Sequence, residues 1–354
     1  MSEIYTSKKS ILHYLHRKPC ESLTIEDRQI LSQCRILTDK YYQNQVFLRG
    51  IIEFSSFCSQ DCLYCGLRAA NTNLPRYRLS LEDILSTVQR IYSDGLRSVV
   101  LQSGEDLFYT TSLIAHVCAE ILDRYPDIAI TLSIGERNSP AYRKLRKSGA
   151  TRFLIKHETA NPILYKQIHP TQELLSRLRQ QQLIKQSGFM LGSGFLVGLP
   201  HQTIEDIYDE LLFLYQNQFD MWGIGVFIPS QGTPFENYPN GDPNLAKLAM
   251  VCSRLFDPQT MIPITTAYHS LMGDADTIQS LHDVANVFMI NYTPDSVKNL
   301  YHIYNNKQSL TLEKTCQLIE KAGKIPTYTK GEPSRVNNKK PTTSYWYRRT
   351  NECR

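Results

Sequence analysis

Leu48-Arg49-Gly50-Ile51-Ile52-Glu53-Phe54, with Cys58-Ser59-Gln60-Asp61-Cys62-Leu63-Tyr64-Cys65 beginning four residues later, is the stretch on which the fold turns. Its first half reads as a short apolar strand. Its second half is a loop that carries three cysteines separated by three and then two residues. Residues 80–94 follow as a capped amphipathic helix, with Ser80 and Asp83 at its start and Ile84, Leu85, Val88, Ile91 and Tyr92 on one face. A strand, a cysteine-bearing loop and a helix in that order place the loop at the carboxyl-end mouth of a parallel α/β sheet or barrel, where such folds gather their sites.

Three cysteines this close suit a 4Fe–4S cluster, for which thiolate is the usual protein ligand. Three ligands leave one iron open to a small molecule. Zinc is the competing reading, but it wants a fourth Cys or His nearby, and none follows within the next forty residues. Unrelated buried cysteines are the remaining alternative.

Working outward, short β-rich runs alternate with helical patterns. Strands are expected near 49–54, 98–102, 128–133, 153–156, 190–197, 223–228, 262–266 and 286–289. Helices are expected near 80–94, 110–124, 139–148, 171–186, 203–217, 243–256, 274–283 and 295–305. Ser139-Pro140 and Asp242-Pro243 place a cap before a proline at the first helical position, and Thr203 with Asp206 approaches a capping box. The alternation predicts an α/β fold, a (β/α)8 TIM barrel over residues 46–323. An N-terminal helical segment, 1–45, is expected to pack across one end as a lid, and 309–323 adds a last helix.

The 354 residues carry a net charge of +5, but residues 324–354 alone hold eight Lys/Arg against Glu332 and Glu352. The body is therefore close to neutral. The prolines and sparse aliphatics of 324–354 predict a flexible basic tail, and a solvated extension is preferred to a nucleic-acid partner. No apolar run approaches the roughly 20 residues of a membrane span, and the first residues lack a secretory pattern. Nine cysteines in all, an odd number scattered apart from the triad, do not form a disulfide framework. A reducing cytoplasm is the expected setting.

Residues that end barrel strands share one mouth. Reading them in order gives Gln102-Ser103-Gly104-Glu105, Thr131-Leu132-Ser133, Lys156-His157-Glu158, Gly192-Ser193-Gly194, Thr265-Thr266, and then Asn291, Tyr292 and Tyr301. Glu105 and Glu158 close apolar strands, which fits a solvated-face reading poorly. Lys156 is a paired barrel lysine or a ligand contact, and His157 is equally readable as a satisfied structural histidine. Arg177, on the helix after strand four, would alone be read as solvent-facing.

The cysteine spacing, the aromatic Tyr64 before Cys65 and the Ser103-Gly104-Glu105 string together resemble the radical S-adenosylmethionine (radical SAM) enzymes. Further strings, Val100-Leu-Gln-Ser-Gly-Glu-Asp106, His157-Glu-Thr-Ala-Asn-Pro162, Val197-Gly-Leu-Pro200 and Phe227-Ile-Pro229 among them, resemble the HydE branch in order across residues 48–305. HydE proteins are maturases of the FeFe-hydrogenase active-site cluster; methylornithine synthase (PylB) and biotin synthase are the neighbouring branches. The resemblance implies that Cys58, Cys62 and Cys65 ligate the cluster and that SAM chelates the open iron. It implies that Tyr64, Ser103, Glu105, Ser133 and Glu158 lie against SAM and that Arg177 pairs with its carboxylate. It places Gln102, Thr131, Lys156, Thr265, Thr266 and Tyr301 on the substrate side.

Reductive cleavage of SAM to a 5′-deoxyadenosyl radical is the implied activity. The implied substrate is a small molecule or organometallic iron species on the way to the hydrogenase di-iron unit. A ferredoxin or flavodoxin is the implied electron donor, and other hydrogenase maturases are implied partners. Two departures stand out: Lys156 replaces the branch's arginine, and His201 replaces the glycine after Gly-Leu-Pro. They leave three alternatives in view: a PylB-like mutase, a divergent HydE paralogue acting on another small anion, and a non-catalytic iron–sulfur carrier.

Overall fold

A computed structural model describes residues 7–17 and 23–334. Eight parallel strands form the barrel in chain order: β1 (Gln45–Ser55), β2 (Ser98–Ser103), β3 (Ala129–Ser133), β4 (Arg152–Leu154), β5 (Met190–Ser193), β7 (Met221–Trp222), β9 (Pro263–Ile264) and β10 (Val287–Asn291). Ladders run without a break from β7 through β1 to β9. The ring is completed between β7 and β9 by two bonds, Trp222 N–H to Met261 O at 2.9 Å and Met261 N–H to Asp220 O at 3.1 Å. Above β5 and β7 the chains continue as a separate pair, β6 (Leu196–Val197) and β8 (Gly225–Val226). The strands are buried on both faces, as parallel strands under a helical layer must be.

The helix starts follow their local chemistry. Ser80 and Asp83, and Thr203 and Asp206, form reciprocal capping boxes. Asp242 caps the helix Pro243–Phe256 with proline at its first position. Asn138, rather than Ser139, caps Ser139–Lys147. Before the barrel, helices Lys8–Leu15 and Ile25–Tyr42 pack on the outer helices Ile204–Gln216, Pro243–Phe256 and Thr266–Asp283. They lie along the outer helices rather than across one end as a lid, with Tyr42 joining Phe47, Met221, Met261 and Val287 and Tyr41 packed against that group.

Two expected helices differ. The helix expected at 274–283 begins at Thr266 and bends at Gly273. The one expected at 295–305 stops at Lys298, because Tyr301 is drawn into the barrel and buried. A further helix, Pro162–Ile168, starts at the Asn161 cap.

Residues 324–334, assigned to the tail from composition, are packed. β11 (Ile325–Thr327) pairs with the first residues of β1, Lys324 Nζ lies 2.7 Å from Asp39 Oδ1, and Arg152 Nη1 donates to Lys330 O at 2.7 Å. The rest of the expected tail, 335–354, lies outside the described residues, as do 1–6 and 18–22. Among the described residues no helix is long and apolar enough to cross a membrane.

Candidate active site

The loop after β1 is pinned from several sides. Arg76 donates from both terminal nitrogens to the carbonyls of Ser56, Leu67, Arg68 and Asn71, and Arg68 forms a forked pair with Asp61. The Glu105 carboxylate accepts from Gln60 Nε2 at 2.8 Å and from Glu136 N–H at 3.0 Å, so it ties the cysteine loop to the loops after β2 and β3. Gly104 must be glycine here: a Cβ would stand 2.2 Å from Phe57 O and 2.8 Å from the Cys58 Cβ.

Cys58, Cys62 and Cys65 line one end of a cavity of about 400 Å³ in the barrel mouth. Burial pushes all three thiols up, Cys62 to about 12. The N–H groups of Gln60 and Glu105 point at Cys58 Sγ, at 3.4 and 3.3 Å, and partly oppose that shift. Among the described residues no group of three His, Cys, Asp or Glu side chains converges as the ligands of a single metal ion. A cluster instead takes its three thiolates on three separate irons.

Fourteen of the fifteen residues expected at the site line this cavity: the three cysteines, Tyr64, Gln102, Ser103, Glu105, Ser133, Lys156, Glu158, Arg177, Thr265, Thr266 and Tyr301. The exception is Thr131. It sits one layer lower in the barrel, in a small separate cavity with Arg49 and Arg152, because it precedes the strand-end Ser133 by one alternation of the strand.

Arg177 is half-buried at the cavity rather than solvent-facing. It donates from Nε to Glu136 Oε1 at 2.7 Å, from Nη1 to Lys156 O at 3.0 Å and from Nη2 to Gln172 Oε1 at 3.0 Å. Burial opposes its charge, but surrounding groups, Tyr165 and Glu136 foremost, outweigh it and hold the guanidinium protonated. Tyr64 OH lies 3.2 Å from His169 Nε2. Burial, then the Arg177 charge, pushes His169 down to about 3, so this imidazole is neutral.

Sequence reasoning missed Glu53, Tyr304 and Lys307, which also line the cavity, as does the strand-end Asn291. Glu53 is buried, accepts from Asn291 Nδ2 at 2.9 Å and pairs with Lys307 Nζ. Lys307 comes from the segment after Lys298, where the expected helix stops. Thr265 caps the helix Thr266–Asp283, accepting from Tyr268 N–H, so the positive end of that helix faces the cavity wall.

The donor set fits a polar ligand beside the cysteines. His169 Nδ1 and Gln172 Nε2 are buried without a hydrogen-bond partner around Arg177, and buried polar atoms ordinarily find one. The profile of the radical SAM superfamily matches residues 52–214. The chain is 39% identical to the [FeFe] hydrogenase maturase subunit HydE of Thermotoga maritima over 89% of its own length and 93% of the relative's.

The chain belongs to the radical SAM superfamily.

Within it, the HydE similarity covers most of the chain, and the cofactors of the family are a 4Fe–4S cluster and SAM. The 3-methylornithine synthase of Methanosarcina barkeri is 28% identical over 77% of this chain and 78% of its own length. The crystal structure of methylornithine synthase (PylB) superposes with a TM-score of 0.79 at 24% identity, covering 91% of this chain and 94% of that one. That likeness shows the fold: a radical SAM (β/α)8 barrel.

Proposed function

We propose that this radical SAM enzyme is a HydE-type maturase acting on a compact anionic substrate, a small molecule or an organometallic iron species, during assembly of the FeFe-hydrogenase di-iron unit. The single observation that supports it is one continuous cavity joining the cysteine end to a wall of Lys156, Thr265, Thr266 and Tyr301, in a chain that covers nearly all of a HydE relative. Cys58, Cys62 and Cys65 would hold the cluster, which with SAM supplies one-electron chemistry and a 5′-deoxyadenosyl radical. Arg177 offers a guanidinium for the SAM carboxylate. Glu158, Ser103 and Ser133 offer acceptors and hydroxyls beside it, and Tyr64 walls the site.

Glu105 lines the same cavity, and its carboxylate also braces the cysteine loop. On the substrate side, Lys156 and the helix end at Thr266 favour negative charge, while Gln102 and Tyr301 supply neutral polar contacts. The walls exclude water and oxygen from the reacting atoms. A reduced ferredoxin or flavodoxin would deliver the electron in a reducing cytoplasm, and other hydrogenase maturases would take the product onward.

Anaerobic reconstitution should give about four irons per chain and dithionite-dependent release of 5′-deoxyadenosine. The protein should also restore hydrogenase maturation in an extract that lacks HydE. Rearrangement of lysine to methylornithine, with no restoration, would assign it to the PylB-like reading instead. A bound cluster with no SAM cleavage would make it a carrier.

A further inference from the structure

Glu158 is one of six described residues other than glycine with positive φ, at +61°. L residues enter this left-handed region only at a cost, and strain at such a position persists when the surroundings over-determine it. The surroundings here are a buried polar network on the side away from the cavity. His157, with no exposed surface, places Nε2 2.9 Å from Glu210 Oε2 and Nδ1 2.9 Å from Ser193 Oγ. The other oxygen of Glu210, also fully buried, accepts from Thr159 Oγ1 at 2.7 Å and from Ala160 N–H at 2.6 Å. One carboxylate thus grips the chain on both sides of Glu158.

The network also reaches the neighbouring helix. Gln181 Nε2 donates to the same Ser193 Oγ at 2.8 Å. Gln181 lies one helical turn after Arg177 on Leu174–Gln186, and Arg177 in turn holds Lys156 O. The main chain completes the clamp: both His157 N–H and Glu158 N–H donate to Gly194 O, at 3.2 and 3.1 Å.

We infer that His157 and Glu210 are positioning residues that hold Glu158 in its left-handed turn, aim its carboxylate into the cavity and set its distance from Arg177, without themselves touching SAM. The inference rests on Glu158 and Arg177 being SAM contacts, as proposed above. A bare structural role would need only that the buried pair be satisfied. A positioning role needs this geometry, because a misplacement of about 1 Å costs up to about a hundredfold in a preorganised site.

The test uses reconstituted holoprotein and S-adenosylhomocysteine as the calorimetric probe. His157→Phe keeps a ring beside Phe213 and Phe219, whose centroids lie 4.5 and 6.5 Å from the imidazole, but removes both hydrogen bonds. The double variant His157→Phe, Glu210→Met also removes the orphaned buried charge, so it folds even where the single variant does not. The double variant is expected to keep parental iron content, with a lower melting temperature because Thr159 Oγ1 and Ala160 N–H lose their acceptor, while binding the probe about tenfold or more weakly. At saturating SAM its release of 5′-deoxyadenosine should approach the parental rate, a change in KM rather than kcat. His157→Gln, which retains a donor for Glu210, should lose less.

Parental affinity for the probe in the double variant, whatever its melting temperature, would overturn the inference and leave a purely structural network. Glu158→Gln separates the two levels of the reading. If it binds the probe as the parent does, the assignment of Glu158 to SAM falls and the inference falls with it. If Glu158→Gln is weakened and the double variant is not, the inference alone falls.

Discussion

Lys156 Nζ lies 2.9 Å from Glu158 Oε2, an ion pair that joins the two walls of the cavity across a single intervening residue. Both side chains line the cavity, so a ligand bound there competes for this contact. Lysine carries charge without the guanidinium fork of the arginine that stands here in the HydE branch. Lys156→Arg is therefore expected to retain substrate turnover, and Lys156→Met to lower it about tenfold or more, the worth of a charged hydrogen bond. Maturation assays with each variant check this; equal loss in both would remove Lys156 from the substrate wall.

Gly104 supplies a second prediction. A methyl group there would collide with Phe57 O and the Cys58 Cβ. Gly104→Ala should fold with the parental far-ultraviolet dichroism yet take up less iron on reconstitution, since the displaced segment is the cysteine loop and not the barrel. Full iron content would show that the loop yields without harm.

Cys62→Ser should lose the cluster and SAM cleavage together, because oxygen is a poor replacement for a soft thiolate. Iron analysis and 5′-deoxyadenosine release report the two losses separately.

Glu53 and Lys307 form a buried pair over the substrate side. Removing one partner leaves the other charge stranded, a loss of about 3 kcal/mol for a buried pair. Lys307→Met should show it in denaturant unfolding, and Glu53→Gln with Lys307→Met should restore most of it. An unchanged midpoint in the single variant would mean that Asn291 alone suffices for Glu53.

Asp106 sets an acid dependence. Burial works against its charge, but the Arg78 side chain, Ser55 Oγ and Phe108 N–H more than offset this and hold its carboxyl below the usual range. A carboxylate depressed on folding stabilises the native state above its unfolded value of about 3.9. That stabilisation is lost as pH falls from there through the folded value. Asp106→Asn should lower stability at neutral pH and flatten the decline below about pH 4, measured by unfolding across that window.

Most of the barrel was legible in the sequence because strand, loop and helix signals repeat with short connections, and the strand ends carry polar strings that packing does not explain. Arg177 was legible only through its family position: on its own helix nothing announces that Glu136, Gln172 and Lys156 O will surround it. The expected strand 190–197 proved to be a broken pair, and 223–228 holds only the second half of another, Met221–Trp222 lying just before it. Gly194 and Gly223 bring their backbones into direct contact, where a Cβ on Gly194 would lie 2.0 Å from Gly223 O, and no periodicity records such a crossing. Glu53 was hidden as one polar letter inside an apolar strand, and Lys307 by a helix pattern that tertiary burial of Tyr301 cut short. His201 was legible as an oddity with a physical reason: its φ is +69°. The branch's glycine has no difficulty there, whereas histidine accepts about 1 kcal/mol of strain.

The staves of this barrel are hooped unequally. Everywhere else neighbouring strands share a ladder, but between Asp220–Trp222 and Met261 two bonds carry the joint, with the thioethers of Met221 and Met261 resting on the guanidinium of Arg49. A cask leaks at its weakest seam. The amides of Trp222 and Met261 should therefore trade deuterium sooner than those of Ile52 or Val100, and oxidation of the two sulfurs by peroxide should loosen the joint further.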